Sequence, residues 1–210
     1  MWSVLMAAGR HRGFDKEDAL EKAMLVFWKN GYPGTSLTDL TTAMDINKPS
    51  LYAAFGNKET LFNQSLTMYL TKHGLAHSEY LLLREQSLYQ RVKNYLLSIA
   101  EMLTDQELPK GCFVCISTSE VAGSRLPESS VKEIKEINQQ TLLFLTDFFE
   151  QEKQLGNANE KLDTKAMANY LLTLQFGLAV AARNGSDMAA LTSTIRIAIG
   201  QLSQDVENLQ

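Results

Sequence analysis

Apolar side chains recur every three or four residues along most of the chain, which is the spacing of an amphipathic α-helix. One such stripe contains Leu20, Ala23 and Phe27, and another runs from Phe62 to Leu70. No stretch keeps the two-residue alternation of a half-buried strand. The pattern predicts an all-α protein of about nine helices.

Residues 35–58 have the pattern of two short helices joined by a tight turn and followed by the start of a third. Ser36 can cap the first helix, and Asp39 three residues later completes a short capping box. Asp45 falls at the turn, where Asp tolerates a left-handed backbone better than most residues. Asn47 can cap the next helix. The sequence therefore predicts a helix-turn-helix unit here.

The second helix of this unit has two faces. Pro49 suits its first turn, and Leu51 and Phe55 point to a core. The residues left facing outward are Lys48, Ser50, Tyr52 and Ala53. An α-helix that offers lysine, hydroxyls and small side chains fits the major groove of DNA. Taken alone, the pattern also fits a helical hairpin whose polar face is merely solvated.

Three motifs in this region resemble the TetR/AcrR family of transcriptional repressors: residues 31–36 (GYPGTS), 46–52 (INKPSLY) and 55–61 (FGNKETL). The resemblance covers about residues 10–62, with the motifs in the same order and spacing. One departure is Asp45, where members of the family often carry Gly. Beyond residue 62 the resemblance is one of length and helical character only.

The resemblance implies a three-helix helix-turn-helix DNA-binding domain at residues 1–60 and a larger helical domain for effector binding and dimerisation at residues 61–210. It implies a ligand-responsive repressor that binds a palindromic operator as a homodimer and is released by a small apolar or aromatic effector. The two recognition helices would enter successive major grooves about 34–36 Å apart.

The resemblance also suggests which residues contact DNA. Lys48, Ser50 and Ala53 would face base edges, whereas Thr35, Ser36, Tyr52 and Lys58 would hold phosphates. Thr38, Asn47 and Pro49 complete the predicted DNA-binding set. Between residues 46 and 58 the chain has two lysines and no carboxylate, so phosphates would meet no local repulsion.

The last two predicted helices lie at residues 163–184 and 187–208. The first is apolar on more than one face and the second carries one apolar stripe, and the pair suits a two-fold four-helix interface. The alternative is that they complete the core of a monomer; the resemblance favours a dimer. The predicted interface residues are Leu172, Phe176, Val180, Leu191, Ile195, Ile199 and Leu202.

An effector pocket is expected among helices 4 to 8. Its predicted lining is Tyr69, Tyr95, Met102, Cys112, Phe113, Phe144, Phe148 and Phe176, each of which would equally fit a plain core. Helix 4, predicted at residues 58–80, would link the two halves of the chain. A ligand that favours one tilt of this helix would change the spacing of the reading helices.

Cys112 and Cys115 are the only cysteines. Their spacing in a regular helix is too wide for a disulfide. They either pack in the core or sense oxidants or electrophiles, which makes a redox-switched regulator the alternative function. His73 and His77 have no carboxylate or thiol at matching spacing, so no metal and no cofactor is predicted.

The chain has 210 residues, of which 45% are hydrophobic and 21% charged, with a net charge of −4. These values favour a folded protein. Residues 1–60 contain seven Lys or Arg and seven Asp or Glu, so the rest of the chain carries the whole net charge. A basic arm at residues 9–13 would contact DNA or be a frayed terminus. A third class, an architectural DNA-binding protein without an effector, stays open.

No stretch approaches the roughly 20 apolar residues of a membrane span. Residues 2–8 are apolar but short and lack a basic leader, so no signal peptide is expected, and Met6 is an alternative start to Met1. No P-loop, dinucleotide glycine pattern or histidine–nucleophile pair is present. The sequence predicts a cytoplasmic protein that is not an enzyme.

Overall fold

The structure is a computed structural model that describes residues 14–206, with side chains described as far as residue 200. These residues form helices and no strand, which confirms the all-α prediction. The α-helices are α1 (Lys16–Asn30), α2 (Leu37–Met44), α3 (Lys48–Phe55), α4 (Lys58–Tyr69), α5 (Leu88–Thr104), α6 (Phe113–Val121), α7 (Glu128–Gln154), α8 (Thr164–Arg183) and α9 (Met188–Val206). The predicted basic arm, the apolar stretch at 2–8 and the start at Met6 lie outside the described residues.

The helix-turn-helix unit is α2, the turn at Asp45, and α3. The Ser36 hydroxyl accepts from the Asp39 N–H at 3.1 Å, and the Asp39 carboxylate accepts from the Ser36 N–H at 2.8 Å, which confirms the capping box. Asp45 has a φ of 53°, in the left-handed region. Asn47 caps α3 by accepting from the Ser50 N–H at 2.8 Å. These local contacts fix the angle between the two helices.

One hydrophobic core lies beneath α1 to α4. Its largest buried side chains include Phe27, Trp28, Phe55 and Phe62. Phe113 of α6 belongs to the same core and packs edge-to-face on Phe62, with 5.6 Å between ring centres. The helix-turn-helix unit is therefore packed directly on the rest of the chain.

α4 leaves α-helical geometry earlier than predicted. The expected helix at residues 58–80 is α-helical only to Tyr69; a π-helical turn (Leu70–Gly74) and a 3₁₀ stretch (Leu75–Leu82) follow. We call Leu70–Leu82 the π/3₁₀ segment. The predicted domain boundary between residues 60 and 61 falls inside α4, so the same helix belongs to both halves.

Two features explain the change of geometry. Gly74 is a weak helix former at the end of the π-helical turn. In the next turn, His77 Nδ1 lies 3.0 Å from the Ser98 hydroxyl of α5. This contact holds the 3₁₀ stretch against α5.

A second core is built by α5, α7, α8 and α9. Leu191, Ile195 and Ile199 are each only 1% exposed inside it, because the apolar stripe of α9 packs along α5 of the same chain. The prediction that these three residues form a dimer interface is therefore wrong. Leu172 and Phe176 are half-buried and pack against the same core, and the side chain of Leu202 lies outside the described part.

A buried ion pair joins α5 to α7. The Arg91 guanidinium donates to both carboxylate oxygens of Glu152, and its Nη1 also donates to the Leu81 carbonyl oxygen at 2.9 Å. Asn157 Nδ2 donates to Glu152 at 2.9 Å. Both charged side chains are less than 5% exposed, so the pair depends on these hydrogen bonds.

Within residues 14–206, no helix is both long enough and apolar enough to cross a membrane.

Candidate functional site

The outer face of α3 carries the predicted DNA-contacting side chains. Lys48 and Ala53 are exposed, Ser50 is half-buried, and Tyr52 is 48% exposed. The inner face buries Leu51 and Phe55, as predicted. Because the Asn47 side chain is occupied by the cap, the free polar groups of this face are those of Lys48, Ser50 and Tyr52. Of the remaining predicted contacts, Ser36, Thr38 and Pro49 are exposed beside α3.

Thr35 is placed differently from the expectation that it holds a phosphate. Its side chain is 2% exposed. Its hydroxyl donates to the Gly31 carbonyl oxygen at 2.6 Å. In this arrangement Thr35 closes the turn after α1 rather than facing the surface.

Lys58, the first residue of α4, is tied to the turn after α1. Its Nζ donates to the Tyr32 carbonyl oxygen at 2.7 Å and lies 4.1 Å from the centre of the Tyr32 ring. Partial burial lowers the pKa of Lys58. The ammonium has three donor hydrogens, so this bond leaves donors for a phosphate.

The same turn also contacts α6. The Tyr32 N–H donates to the Glu120 carboxylate at 3.2 Å. Gly31 has a φ of 72°, and a Cβ there would run into the Glu120 carboxylate. Burial raises the pKa of Glu120, and the Tyr32 N–H and the charges of Arg183 and Lys58 partly offset this effect. A side chain of the larger half therefore holds the end of α1.

A second set of contacts fixes the C-terminus of α1. Trp28 Nε1 donates to the Gly111 carbonyl oxygen at 3.0 Å. Arg183, at the end of α8, donates to the carbonyl oxygens of Lys29 at 2.9 Å, Lys110 at 3.3 Å and Trp28 at 3.4 Å. Sequence reasoning missed both Glu120 and Arg183; the only signal for Arg183 was a cation in the last turn of a predicted helix, which is a common feature.

A mostly apolar cavity of about 330 Å³ lies between the π/3₁₀ segment and α5 to α8. Its lining is Tyr69, Leu70, Gly74, Leu75, His77, Ser78, Tyr95, Ile99, Met102, Leu103, Cys112, Val114, Ile137, Asn138, Gln140, Thr141, Phe144, Leu172, Gln175 and Phe176. No Asp, Glu, Lys or Arg belongs to this set of described residues. The cavity lies where the effector pocket was predicted.

Two of the predicted lining residues lie elsewhere. Phe113 is fully buried in the first core, edge-to-face with Phe62 and Tyr69. Phe148 packs on Phe149 and lies under the Arg91 guanidinium. The other six, Tyr69, Tyr95, Met102, Cys112, Phe144 and Phe176, do line the cavity.

The polar atoms of the cavity are few. The Tyr69 hydroxyl donates to Cys112 Sγ at 3.2 Å. Met102 Sδ lies 3.8 Å from that hydroxyl and 3.5 Å from His77 Nε2. Burial raises the pKa of Tyr95 to about 12, and the neighbouring Gln175 amide acts in the opposite direction. Gln175 Nε2 is buried and directed toward the Tyr95 hydroxyl, but it makes no well-aligned hydrogen bond.

Both cysteines are free thiols. Cys112 precedes the first residue of α6 and lines the cavity, whereas Cys115 is buried with its Sγ 3.8 Å from the Phe176 carbonyl oxygen. Burial raises the pKa of Cys112, and the hydrogen bond from Tyr69 partly offsets this. Burial raises the pKa of Cys115 to about 11. Neither thiol is preformed as a thiolate.

The cavity wall and the end of α1 meet at Trp28. The Trp28 ring packs edge-to-face on Tyr69, with 4.8 Å between ring centres. Its Nε1 bonds the carbonyl of Gly111, the residue before Cys112. His73 packs on both rings, and no group of three or more His, Cys, Asp or Glu within the described residues is placed to hold a metal.

The outer faces of α8 and α9 carry a few exposed apolar side chains. Tyr170 and Val180 on α8 are 40% and 52% exposed, and Ile197 on α9 is 67% exposed. On α8 a Cβ at Gly177 would meet nothing within 4 Å, so a neighbouring chain could approach the backbone closely. Among the predicted interface residues whose side chains are described, Val180 is the one that is exposed on these outer faces.

Known proteins share this arrangement. Residues 19–64 match the family model of bacterial regulatory proteins, tetR family. The chain is 32% identical over 191 residues to the HTH-type transcriptional repressor ComR of Escherichia coli strain K12, covering 90% of this chain and 89% of that protein. It is 28% identical over 200 residues to the uncharacterized HTH-type transcriptional regulator YezE of Bacillus subtilis strain 168, covering 92% and 99%.

A solved structure has the same fold along almost the whole chain. It contains a cysteine-substituted form of the TetR family transcriptional regulator CifR, complexed with a 26-base-pair double-strand operator DNA. The two chains are 32% identical, with a TM-score of 0.83 over 91% of this chain and 98% of that one.

Proposed function

Because this chain belongs to the TetR family of bacterial regulatory proteins, we propose that it is a repressor that binds operator DNA as a homodimer and is released by a small molecule. Its relatedness to ComR over nearly the full length of both chains carries the family assignment. The observation that carries the DNA-binding role is the outer face of α3, which is exposed, free of carboxylates and anchored by Leu51 and Phe55.

We assign base reading to Lys48, Ser50 and Ala53, which lie on the outer face of α3. Lysine can donate to guanine O6 and N7 in the major groove. Tyr52 and Lys58 would hold phosphates. The structure of CifR with operator DNA supports this use of the fold. Thr35, whose hydroxyl is taken by Gly31, is left out of the contact set.

The direct test is binding of the purified protein to the DNA upstream of its own coding sequence, followed by fluorescence anisotropy with random DNA as competitor. Specific binding should protect two half-sites about one helical turn apart in a footprint. Equal affinity for the upstream DNA and for random DNA would refute the repressor role.

The homodimer would form through the outer faces of α8 and α9. Solvent-exposed apolar side chains such as Val180 and Ile197 on adjacent helices are typical of a surface that a second copy covers. A C₂ interface would relate the two α3 helices by a two-fold axis, which matches the symmetry of a palindromic operator.

Ile197→Arg tests this interface. A buried cation without a partner would prevent association, so analytical ultracentrifugation should show a monomer with weakened operator binding. Leu82→Arg is the matched control, because Leu82 is 64% exposed but lies on the π/3₁₀ segment. The proposed interface would be contradicted if Ile197→Arg remained a dimer. It would also be contradicted if Leu82→Arg dissociated the dimer as well.

Effector release is supported by the contacts between the cavity and α1. A ligand between the π/3₁₀ segment and α8 would press on Tyr69, whose ring packs on Trp28. Arg183 of α8 bonds the last carbonyls of α1. A ligand that prefers one arrangement of these helices therefore also selects one placement of the DNA-reading unit.

A second candidate is a regulator switched by modification of Cys112. Its thiol lines the cavity and accepts a hydrogen bond from Tyr69, so a reactive molecule in the cavity would meet it. The raised pKa of Cys112 argues for slow reaction unless a bound molecule first orders the site.

Operator binding measured with peroxide, and then with reductant, separates the two candidates. A thiol switch predicts that peroxide abolishes operator binding and that reductant restores it. This response should disappear in Cys112→Ser and persist in Cys115→Ser. Binding that is indifferent to peroxide would leave the reversible effector. If no compound and no oxidant shifts DNA affinity, the chain would instead be an architectural DNA-binding protein.

A further inference from the structure

The wall of the cavity indicates which class of molecule it binds. We propose that the effector is an uncharged molecule with a compact aromatic or apolar body and one strong hydrogen-bond acceptor, such as a carbonyl oxygen, which Gln175 anchors. This inference rests on the effector role proposed above and names the chemistry of that same cavity.

The size of the cavity limits the molecule. A volume of about 330 Å³ is at the small end of ligand sites, which span about 300–1,000 Å³. The aromatic side chains of Tyr95, Phe144 and Phe176 line it from three helices. A molecule of one or two rings suits both the volume and the lining.

The lack of charge in the described part of the cavity wall also limits the charge of the ligand. No ionised side chain lies among the described lining residues. Transfer of a carboxylate or an ammonium from water to such a site has a high free-energy cost because no opposite charge is present. The raised pKa values of Tyr69 and Tyr95 follow from the same low polarity. The cavity therefore selects against ionised ligands.

Gln175 supplies the specific contact. Its Nε2 is buried and interacts with the Tyr95 hydroxyl without forming a well-aligned hydrogen bond, although buried amide donors are nearly always fully paired. Gln175 lies on α8, in the cavity wall beside Tyr95. The amide nitrogen carries two donor hydrogens, so an acceptor oxygen on the ligand would complete its hydrogen bonding, whereas a pure hydrocarbon would leave it incompletely paired. The cavity thus favours an acceptor-bearing molecule over a hydrocarbon of the same shape.

The probes for this proposal are acetophenone, ethylbenzene and benzoate, which share one ring and differ in the acceptor and in the charge. Their dissociation constants are measured by ligand-observed NMR on the full chain without DNA. Gln175→Leu removes the donor at nearly constant volume. Gln140→Leu, at an exposed position on the cavity rim, is the matched control.

Gln175→Leu should weaken acetophenone binding roughly 10-fold while leaving ethylbenzene unchanged or tighter. Gln140→Leu should change the dissociation constant of neither acetophenone nor ethylbenzene. Benzoate should bind the unmodified chain more weakly than acetophenone. Gln175→Leu removes a buried donor that makes no well-aligned hydrogen bond, so the melting temperature of the variant should not fall, and a loss of binding would not reflect unfolding.

The proposal is overturned if acetophenone does not bind, if Gln175→Leu changes acetophenone and ethylbenzene by the same factor, or if benzoate binds as tightly as acetophenone. Operator release is measured separately. Anchored binding of acetophenone without release would keep the ligand class and refute the effector role. Release of the operator by an ionised molecule, independent of Gln175, would refute the ligand class and keep the effector role.

Discussion

The ammonium of Lys58 donates a 2.7 Å hydrogen bond to the carbonyl oxygen of Tyr32, and the N–H of the same Tyr32 donates to Glu120. One residue of the turn after α1 is thus held from both sides. Lys58 begins α4 at the proposed DNA face, whereas Glu120 belongs to α6. The side chain proposed to hold a phosphate is therefore part of the joint between the two halves.

Lys48→Ala and Lys58→Ala should weaken DNA binding in different ways. Lys58→Ala removes a phosphate contact, so affinity should fall on operator and random DNA alike, with the salt slope reduced by about 1. Lys48→Ala should cost about 1–3 kcal/mol on the operator and relax preference at one base pair. Anisotropy titrations at several salt concentrations distinguish the two. Identical effects of both substitutions on cognate and random DNA would contradict the assigned roles.

Glu120→Gln should stabilise the protein at neutral pH. Since burial raises the pKa of Glu120, the folded state holds this proton more tightly than the unfolded state. The contribution of Glu120 to the unfolding free energy is therefore present at low pH. It is lost as the pH rises above the ordinary pKa of glutamate and through the raised pKa of the folded state. Solvent screens a half-buried group, so the gain at pH 7 should be under about 1 kcal/mol.

Urea unfolding at several pH values measures this gain. The difference between Glu120→Gln and the unmodified chain should shrink to zero below about pH 4, where the carboxyl group is protonated in both states. A stabilisation that grows toward low pH would contradict the prediction.

Glu152→Ala should destabilise the larger half strongly. It leaves the Arg91 charge buried, which typically costs about 3–5 kcal/mol of unfolding free energy. Replacing both residues with Met should cost far less, because no unpaired charge is left. Glu136→Ala is the control: it breaks the exposed Lys132–Glu136 pair, whose atoms are 3.7 Å apart, and should cost less than about 1 kcal/mol. Equal losses in Glu152→Ala and the double variant would refute this account.

Asp45→Val should destabilise the helix-turn-helix unit by about 1–2 kcal/mol, because a β-branched residue strongly disfavours the left-handed backbone at φ 53°. Asp45→Gly should stay within about 1 kcal/mol of the unmodified chain. Thr42→Val, on the exposed side of α2, controls for the introduction of valine. Chemical denaturation measures all three. Valine tolerated equally at positions 42 and 45 would show that the turn is not constrained as described.

The helix-turn-helix unit could be predicted because its determinants are local. Ser36, Asp45 and Asn47 act within a few residues of themselves, and their side chains cap or turn the chain in the structure as predicted. The end of α4 at Tyr69 was not predictable, since it depends on Gly74 and on a contact with Ser98 of α5.

Periodicity reports that a helix face is buried but not what covers it. The stripe of Leu191, Ile195 and Ile199 was assigned to a second chain, whereas α5 of the same chain covers it. The aromatic residues misassigned to the pocket, Phe113 and Phe148, fill the cores for the same chemical reason that others line the cavity. Gln175 and Glu120 are isolated polar residues on helices that no sequence pattern marks, and a cation in the last turn of a helix, as at Arg183, is too common to indicate a contact.

The joint at the end of α1 is recognised largely through main-chain atoms. Arg183 binds carbonyl oxygens of Trp28, Lys29 and Lys110, and Glu120 binds the N–H of Tyr32. Peptide groups are the same in every sequence, so this joint places few demands on the side chains of α2 and α3. Side chains of α2 and α3 can therefore vary without altering these contacts. We expect residues 35–57 of another family member, grafted between these contacts, to bind that member's operator and to respond to the effector proposed for this chain.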